Sequence, residues 1–260
     1  MKFRPQWRIR RPADDTQTVY ISEKFGVRSL HIGSDTVQSA MRLSRPYDLE
    51  LAYTRSMMAF LLFLPDPRDV LMIGLGGGSV AKFMHYRMPD LRIRAIEINP
   101  EVVAVAEASF GVPRDERLEV IVGDGAEHMA ESGRPVDVLM VDGYDGEAQA
   151  EAVATRRFYD HCRARLTPRG LMVVNLWSGD RAYQDALLRI RAAFPAGVLC
   201  VPADKPGNVI ALAFAESPPA VTWDALIERA GSLTARYGLD FARFVEVLRA
   251  QRPDASTGPF

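Results

Sequence analysis

Gly197-Val-Leu-Cys-Val-Pro-Ala-Asp-Lys-Pro-Gly-Asn-Val-Ile-Ala-Leu-Ala-Phe214 decides the fold. It holds two apolar, β-branched runs, Gly197 to Val201 and Val209 to Phe214, separated by Pro202-Ala-Asp-Lys-Pro-Gly-Asn208. Parallel neighbours need a crossover of about a dozen residues or more, usually a helix. The segment between these runs is too short for that and carries two prolines and a glycine, so the two strands must be antiparallel neighbours.

Upstream the rhythm changes. Asp69-Val-Leu-Met-Ile-Gly, Leu91 to Ile98, Leu118 to Val122, Val136 to Val141 and Gly170 to Leu176 read as strands. Helical stretches begin near Ser79, Pro100, Ala154 and Asp180. Such alternation implies right-handed crossovers and a parallel sheet covered on both faces. Asn99-Pro100 supplies an N-cap and a first-turn proline. The expected fold class is therefore α/β: a parallel sheet closed by an antiparallel C-terminal hairpin, as in class I methyltransferase-like Rossmann sheets and unlike a nicotinamide-binding domain.

Before this sheet, Val19-Tyr-Ile, Ser29-Leu-His-Ile and Val37 to Leu43 alternate apolar with polar around Gly26 and Gly33, which predicts a small antiparallel meander. Asp48 to Leu64 contains no Gly or Pro and predicts one mostly buried helix, with Pro65 and Pro67 marking a linker. Thr222 to about Gln251 predicts two packing helices. The expected organisation is a basic, flexible tail over 1–17, a small β meander plus helix over 18–64, an α/β domain with C-terminal helices over 65–250, and a tail over 251–260.

Composition limits the function. In 260 residues, 48% hydrophobic and 25% charged, a sizeable core is available and disordered or collagenous classes are excluded. A net charge of −1 supplies no global field for gripping nucleic acid or an anionic membrane. Cys162 and Cys200 have no metal-ligand or Cys-x-x-Cys spacing, and the four histidines are scattered, so no metal site is expected. The default setting is reducing and cytoplasmic, with neither a signal peptide nor a spanning segment.

The chemistry clusters at predicted strand ends. Gly74-Leu-Gly76-Gly77-Gly78-Ser lies where the first parallel strand meets its helix, where glycines let the backbone approach a nucleotide-like ligand and aim helix N-terminal amides at it. From Gly76 the string also satisfies G-x-G-x-x-A, so alone it does not separate dinucleotide from adenosyl binding. Glu97 ends the next strand about 20 residues on, where an acid can accept hydrogen bonds from both ribose hydroxyls. Asp124-Gly125-Ala126 follows the third strand, where a carboxylate and neighbouring amides can read an adenine edge or cap a helix. No G-K-[ST] string follows the glycines to hold a pyrophosphate, which favours an S-adenosyl compound. Val141-Asp142-Gly-Tyr144-Asp145-Gly follows the fourth strand, and its two carboxylates can converge on a small cation at the switch point of the sheet. Trp177 ends the fifth strand and is expected to be a core or rim aromatic.

Taken in order, these motifs resemble the spermidine synthase family of polyamine aminopropyltransferases. The resemblance runs from Tyr20 to about Phe214. It includes Val37-Gln38-Ser39, Val70-Leu-Met-Ile-Gly, Ala95-Ile-Glu97-Ile, Val122-Gly-Asp124-Gly-Ala, Asp137-Val-Leu-Met-Val-Asp142, and Phe158-Tyr159 before Leu166-Thr-Pro-Arg-Gly. It implies an aminopropyl transferase that uses decarboxylated S-adenosylmethionine as co-substrate and a small amine such as putrescine as acceptor. Glu97 would hold the ribose, Asp124, Gly125 and Ala126 the adenine, and Gln38 with Gly74, Gly76, Gly77 and Gly78 the rest of the adenosyl group. Asp142 would be the general base, with Asp145, Tyr53 and Tyr144 at the amine. Family precedent also implies a homodimer.

Several positions depart from the family pattern. Gly77 stands where an Asp contacts the transferred aminopropyl amine, and Leu75 replaces a glycine. After Gln38 the usual acids give way to Ser39-Ala-Met-Arg-Leu-Ser-Arg, and Tyr53 is followed by Thr54-Arg55. The usual Gly-Pro-Ala is replaced by Glu147-Ala-Gln-Ala-Glu151, and Arg42, Arg45 and Arg55 fall near the expected amine pocket. Two rival readings follow: an S-adenosylmethionine-dependent methyltransferase, and a non-catalytic relative that binds methylthioadenosine.

Overall fold

The computed structural model describes residues 18–145, 148–149, 151–203, 207–218, 220–252, 255 and 257–260, with the backbone alone at 144–145 and 148–149. The basic tail over 1–17 and Glu147 lie outside the described residues, and so do the side chains of Tyr144 and Asp145.

The chain opens with β1 (Val19–Lys24), β2 (Val27–Ile32) and β3 (Ser39–Arg42), an antiparallel sheet in that order. Phe25-Gly26 closes the first hairpin with φ of 53° and 73°. Positive φ at both turn residues matches the right-handed twist of the flanking strands. Val19, Leu30 and Met41 pack onto Val102 and Phe110 of the main domain.

The predicted single helix over 48–64 needs correction. The α-helical part, α1 (Ala52–Met57), spans six residues and tightens into a 3-10 segment at Met58–Leu62. Met57 to Leu62 are wholly buried, within the core on one face of the main sheet. A segment apolar on all sides has no solvent-facing stripe that would favour a 3.6-residue period over a tighter one.

Then follow β4 (Asp69–Ile73), α2 (Ser79–Arg87), β5 (Arg92–Glu97), α3 (Pro100–Phe110), β6 (Leu118–Val122), α4 (Gly125–Ala130), β7 (Val136–Val141), β8 (Tyr144–Asp145) and β9 (Ala148–Gln149). The chain continues with α5 (Arg156–Ala164), β10 (Leu166–Trp177), α6 (Tyr183–Ala193), β11 (Val198–Pro202), β12 (Asn208–Phe214), α7 (Trp223–Tyr237) and α8 (Phe241–Ala250). Asn99 caps α3 as expected, its side chain accepting from the Glu101 amide at 2.9 Å, an arrangement worth ~1 kcal/mol.

The main sheet runs β11-β12-β10-β7-β4-β5-β6. Its inner strands pair in parallel, whereas β12 is antiparallel to both β10 and β11. The mixed sheet, its flanking helices and the N-terminal meander bear out the expected fold class. Because strand side chains alternate, Val70, Met72, Val138, Met140, Leu171 and Val173 face α2, α3, α7 and α8, while Leu71, Ile73, Leu139, Val141, Met172 and Val174 face α5 and α6. Phe260 meets Phe63 and Phe214 edge-on, so the C-terminal residue packs against the sheet's antiparallel end.

Candidate active site

The chain leaves β4 toward β5 and β6 on one side and returns through β7 and β10 on the other. The carboxyl ends of β4 and β7 therefore diverge into a crevice, the usual ligand position of such sheets. Gly74 to Gly78 line it from β4, Glu97 from β5, Asp124 from β6 and Asp142 from β7.

Close approach explains the glycines. Gly74 has φ of 95°, and a Cβ there would lie 2.3 Å from the Asp142 carbonyl oxygen. The β4 and β7 exits can pass only because position 74 has no side chain. Gly78, the N-cap of α2 with φ of 69°, leaves no room for a Cβ, which would sit 2.3 Å from a Val112 methyl.

Glu97 is buried, and both its oxygens hold backbone amides. Oε2 accepts from Leu75 at 2.9 Å and Gly76 at 3.4 Å, and Oε1 accepts from Asn99 at 3.0 Å. A carboxylate oxygen has two acceptor sites, so Oε1 keeps one for a hydroxyl donor, while Oε2 is already engaged by two amides. Asp124 fulfils the helix-cap reading: Oδ1 accepts from the Ala126 amide at 2.6 Å and the Glu127 amide at 3.1 Å. The Ala126 amide is thereby engaged by its own chain. Gly125 permits the turn to lie against Ile73, whose methyl would be 2.4 Å from a Cβ.

Asp142 is the centre of the other wall. Asn175 of β10 donates from Nδ2 to its Oδ1 at 2.8 Å, and the Tyr53 hydroxyl from α1 also bonds the carboxylate. The Gln38 carbonyl oxygen lies 3.2 Å from the same hydroxyl, whose one proton is shared between the two acceptors, so Tyr53 bridges the end of the meander to the cleft. Burial pushes the Asp142 carboxyl above its usual range, the Asn175 and Tyr53 hydrogen bonds hold it down, and the Glu97 charge adds a push upward. A carboxyl raised above its usual range at a cleft wall suits a group that accepts a proton.

The arginines noted near the amine pocket are engaged locally. Arg42 pairs with Glu50, Arg45 with Asp48 at 3.4 Å, and Arg55 donates to the carbonyl oxygens of Leu49 and Glu50 at 3.0 and 2.9 Å. Position 77 is closed as well: a Cβ on Gly77 would meet Ser39 Oγ at 2.8 Å and a Phe110 ring carbon at 3.0 Å. Trp177 is 41% exposed, which places it at the rim. Its indole lies over Gly179 and Gly207.

Three residues with no assigned role in the sequence reading stand out. Asn175 lies beside Asp142, Asn208 lies beside Asn175, and Lys82 is a buried cation behind the glycine turn. Asn175 was detectable as the one polar residue in Leu171-Met-Val-Val-Asn-Leu176. Among the described residues, no group of three or more His, Cys, Asp or Glu side chains is placed to hold a metal ion.

The spermine/spermidine synthase domain model matches residues 50–203, which includes every strand end of the cleft. The chain belongs to this family. The family's polyamine aminopropyltransferase of Chromobacterium violaceum is 42% identical over 243 residues, covering 93% of each chain. In fold, the probable spermidine synthase of Corynebacterium glutamicum superposes with a TM-score of 0.70 at 20% identity, over 92% of this chain and 91% of that one. Human methyltransferase-like protein 13, solved in complex with SAH, superposes with a TM-score of 0.66 at 26% identity, over 72% of this chain and 93% of that one. Membership of the spermine/spermidine synthase family makes the chain a transferase. It also agrees with the resemblance carried by the glycine turn, Glu97, Asp124 and Asp142.

Proposed function

We propose that this chain moves the aminopropyl group of decarboxylated S-adenosylmethionine onto a small amine such as putrescine, acting in the cytoplasm as a homodimer. The observation that carries the reading is Asp142: a partly buried carboxylate with its carboxyl pushed up by burial, across the glycine turn from Glu97. Two anionic walls attract a cationic acceptor and a sulfonium into one crevice.

In the proposed step a protonated amine gives one proton to the Asp142 carboxylate. The freed lone pair attacks the aminopropyl carbon next to the sulfonium, a C–N bond forms, and the C–S electrons return to sulfur, releasing neutral methylthioadenosine. General-base action of this kind contributes roughly 10²–10⁴-fold, with proximity adding to it. Glu97 takes the ribose hydroxyls, Asp124, Gly125 and Ala126 border the adenine, and Gln38, Gly74, Gly76, Gly77 and Gly78 line the remainder of the adenosyl group. Tyr53, Tyr144 and Asp145 flank the amine. No nucleic acid, membrane or metal takes part.

A second reading, an S-adenosylmethionine-dependent methyltransferase, is favoured by one observation. Ser39 and Phe110 close the space at Gly77, so the glycine turn offers no acid to a transferred amine. Calorimetric titration with methylthioadenosine, decarboxylated S-adenosylmethionine and intact S-adenosylmethionine separates the two, followed by turnover with putrescine. Preference for the decarboxylated compound with turnover supports aminopropyl transfer, and tighter binding of the intact compound supports the methyltransferase. Binding of methylthioadenosine without turnover supports a non-catalytic relative, while binding of none of the three overturns the adenosyl site itself.

A further inference from the structure

A chain of amide hydrogen bonds reaches Asp142 from the antiparallel end of the sheet. Asn208, at the start of β12, donates Nδ2 to Oδ1 of Asn175 at 3.0 Å, and Asn175 donates Nδ2 to Oδ1 of Asp142 at 2.8 Å. In the β10–β12 register Asn175 opposes Ile210 and Trp177 opposes Asn208, so the two asparagines are diagonal neighbours on one face of the sheet. Asn175 is buried, at 3% exposure.

An asparagine beside a carboxyl group has two orientations related by rotation of its amide. One presents N–H and stabilises the carboxylate. The other presents C=O and stabilises the protonated acid. With Asn208 Nδ2 turned to Asn175, as here, the first orientation is the one satisfied, because the Asn175 oxygen then faces β12. We propose that Asn208 is a positioning residue: acting through Asn175, it keeps a donor on Asp142 and so favours the proton-accepting carboxylate. The inference rests on the reading of Asp142 as the base.

Among the described side chains, the groups that face Asp142 are Asn175 from β10, the Tyr53 hydroxyl from α1 and the Glu97 carboxylate from β5. Asn175 is the member of this set that hydrogen-bonds Asn208, so an effect of Asn208 on Asp142 is expected to pass through it. Asn208→Ala removes the constraint on the amide. Asn208→Asp reverses it, since an acceptor at 208 draws the Asn175 N–H away from Asp142.

The test uses the full chain with two readouts. One is the pH dependence of kcat/KM for aminopropyl transfer, and the other is the carboxyl titration of Asp142 followed by carbon NMR without substrate. The expected result is an acid limb moved upward by about one pH unit in Asn208→Ala, equivalent to a roughly tenfold loss of rate below the limb, and moved further in Asn208→Asp. KM for the adenosyl substrate stays within about twofold. Equal Asp142 titrations in the wild type and both variants overturn the inference, as does a smaller shift in Asn208→Asp than in Asn208→Ala. Failure of the wild type to transfer an aminopropyl group overturns the functional reading instead, and the substrate-free titration still decides whether Asn208 acts on Asp142.

Discussion

Glu97 holds the Leu75 amide at 2.9 Å, so the acid proposed for the ribose is also the strut of the glycine turn. One side chain thus couples the end of β5 to the exit of β4. Glu97→Gln replaces one acceptor oxygen with an NH2 group that opposes a backbone donor. Hydrogen bonds to charged groups are worth ~1.5–3 kcal/mol, so methylthioadenosine affinity is expected to fall about 10- to 100-fold by calorimetry. An unchanged affinity would remove Glu97 from the site.

Gly74→Ala tests the packing of the two strand exits. The added Cβ falls 2.3 Å from the Asp142 carbonyl oxygen at a residue with φ of 95°. The clash is with backbone, so no side-chain rotation relieves it. The variant is expected to lose about 1–3 kcal/mol of stability in denaturant unfolding from strain alone, and to lose turnover because Asp142 is displaced. Wild-type stability and turnover together would show that the turn is not constrained in this way.

Asp142→Asn separates stability from activity. The carboxyl of Asp142 is raised by burial. A carboxyl higher in the folded than in the unfolded chain contributes stability below its unfolded pKa, and this is lost as pH rises through the folded value. Relative to the wild type, the variant should therefore gain in Tm as pH rises above the ordinary carboxylate range, while losing most turnover and keeping ligand affinity within about threefold. Normal turnover would refute the assignment of the base.

Lys82 gives a second pH signature with the opposite window. Its ammonium is buried, donating to the Pro46 carbonyl oxygen at 2.9 Å and the Phe110 carbonyl oxygen at 2.5 Å, with Met41 sulfur at 3.0 Å. Burial, with a smaller push from Arg28, lowers its pKa to about 8 from 10.5. Between those values the unfolded chain binds more protons than the folded one, so Lys82 adds stability as pH rises across that window and withdraws it as pH falls. The stability difference between wild type and Lys82→Met should shift toward the wild type from about pH 8 to 10. A flat difference in urea unfolding across that range would show that the ammonium is not penalised by burial.

Much of this fold is written locally. The run Asp69 to Ile73 followed by glycines, the cap at Asn99, and the short Pro- and Gly-containing link before Asn208 each constrain only a few neighbouring dihedrals, so each is readable without knowing the rest of the chain. The same holds for Glu97, Asp124 and Asp142, which end β-branched runs and so must emerge at one edge of a parallel sheet. The length of α1 was not readable, because Met58 to Leu62 take their geometry from the core around them rather than from their own period. Nor was the fate of Arg42, Arg45 and Arg55, whose sequence positions suggested a changed amine pocket but whose charges are taken up by Glu50, Asp48 and nearby carbonyls.

The sequence alone therefore determined the α/β class, the antiparallel ending and the strand ends that carry the candidate site, since periodicity and backbone sterics act over a few residues. Only the tertiary structure decided that Asn208 reaches Asn175, 33 residues away, and that Asn175 in turn reaches Asp142. That contact depends on the register of three strands, and register is set by the whole packed sheet rather than by any one of them.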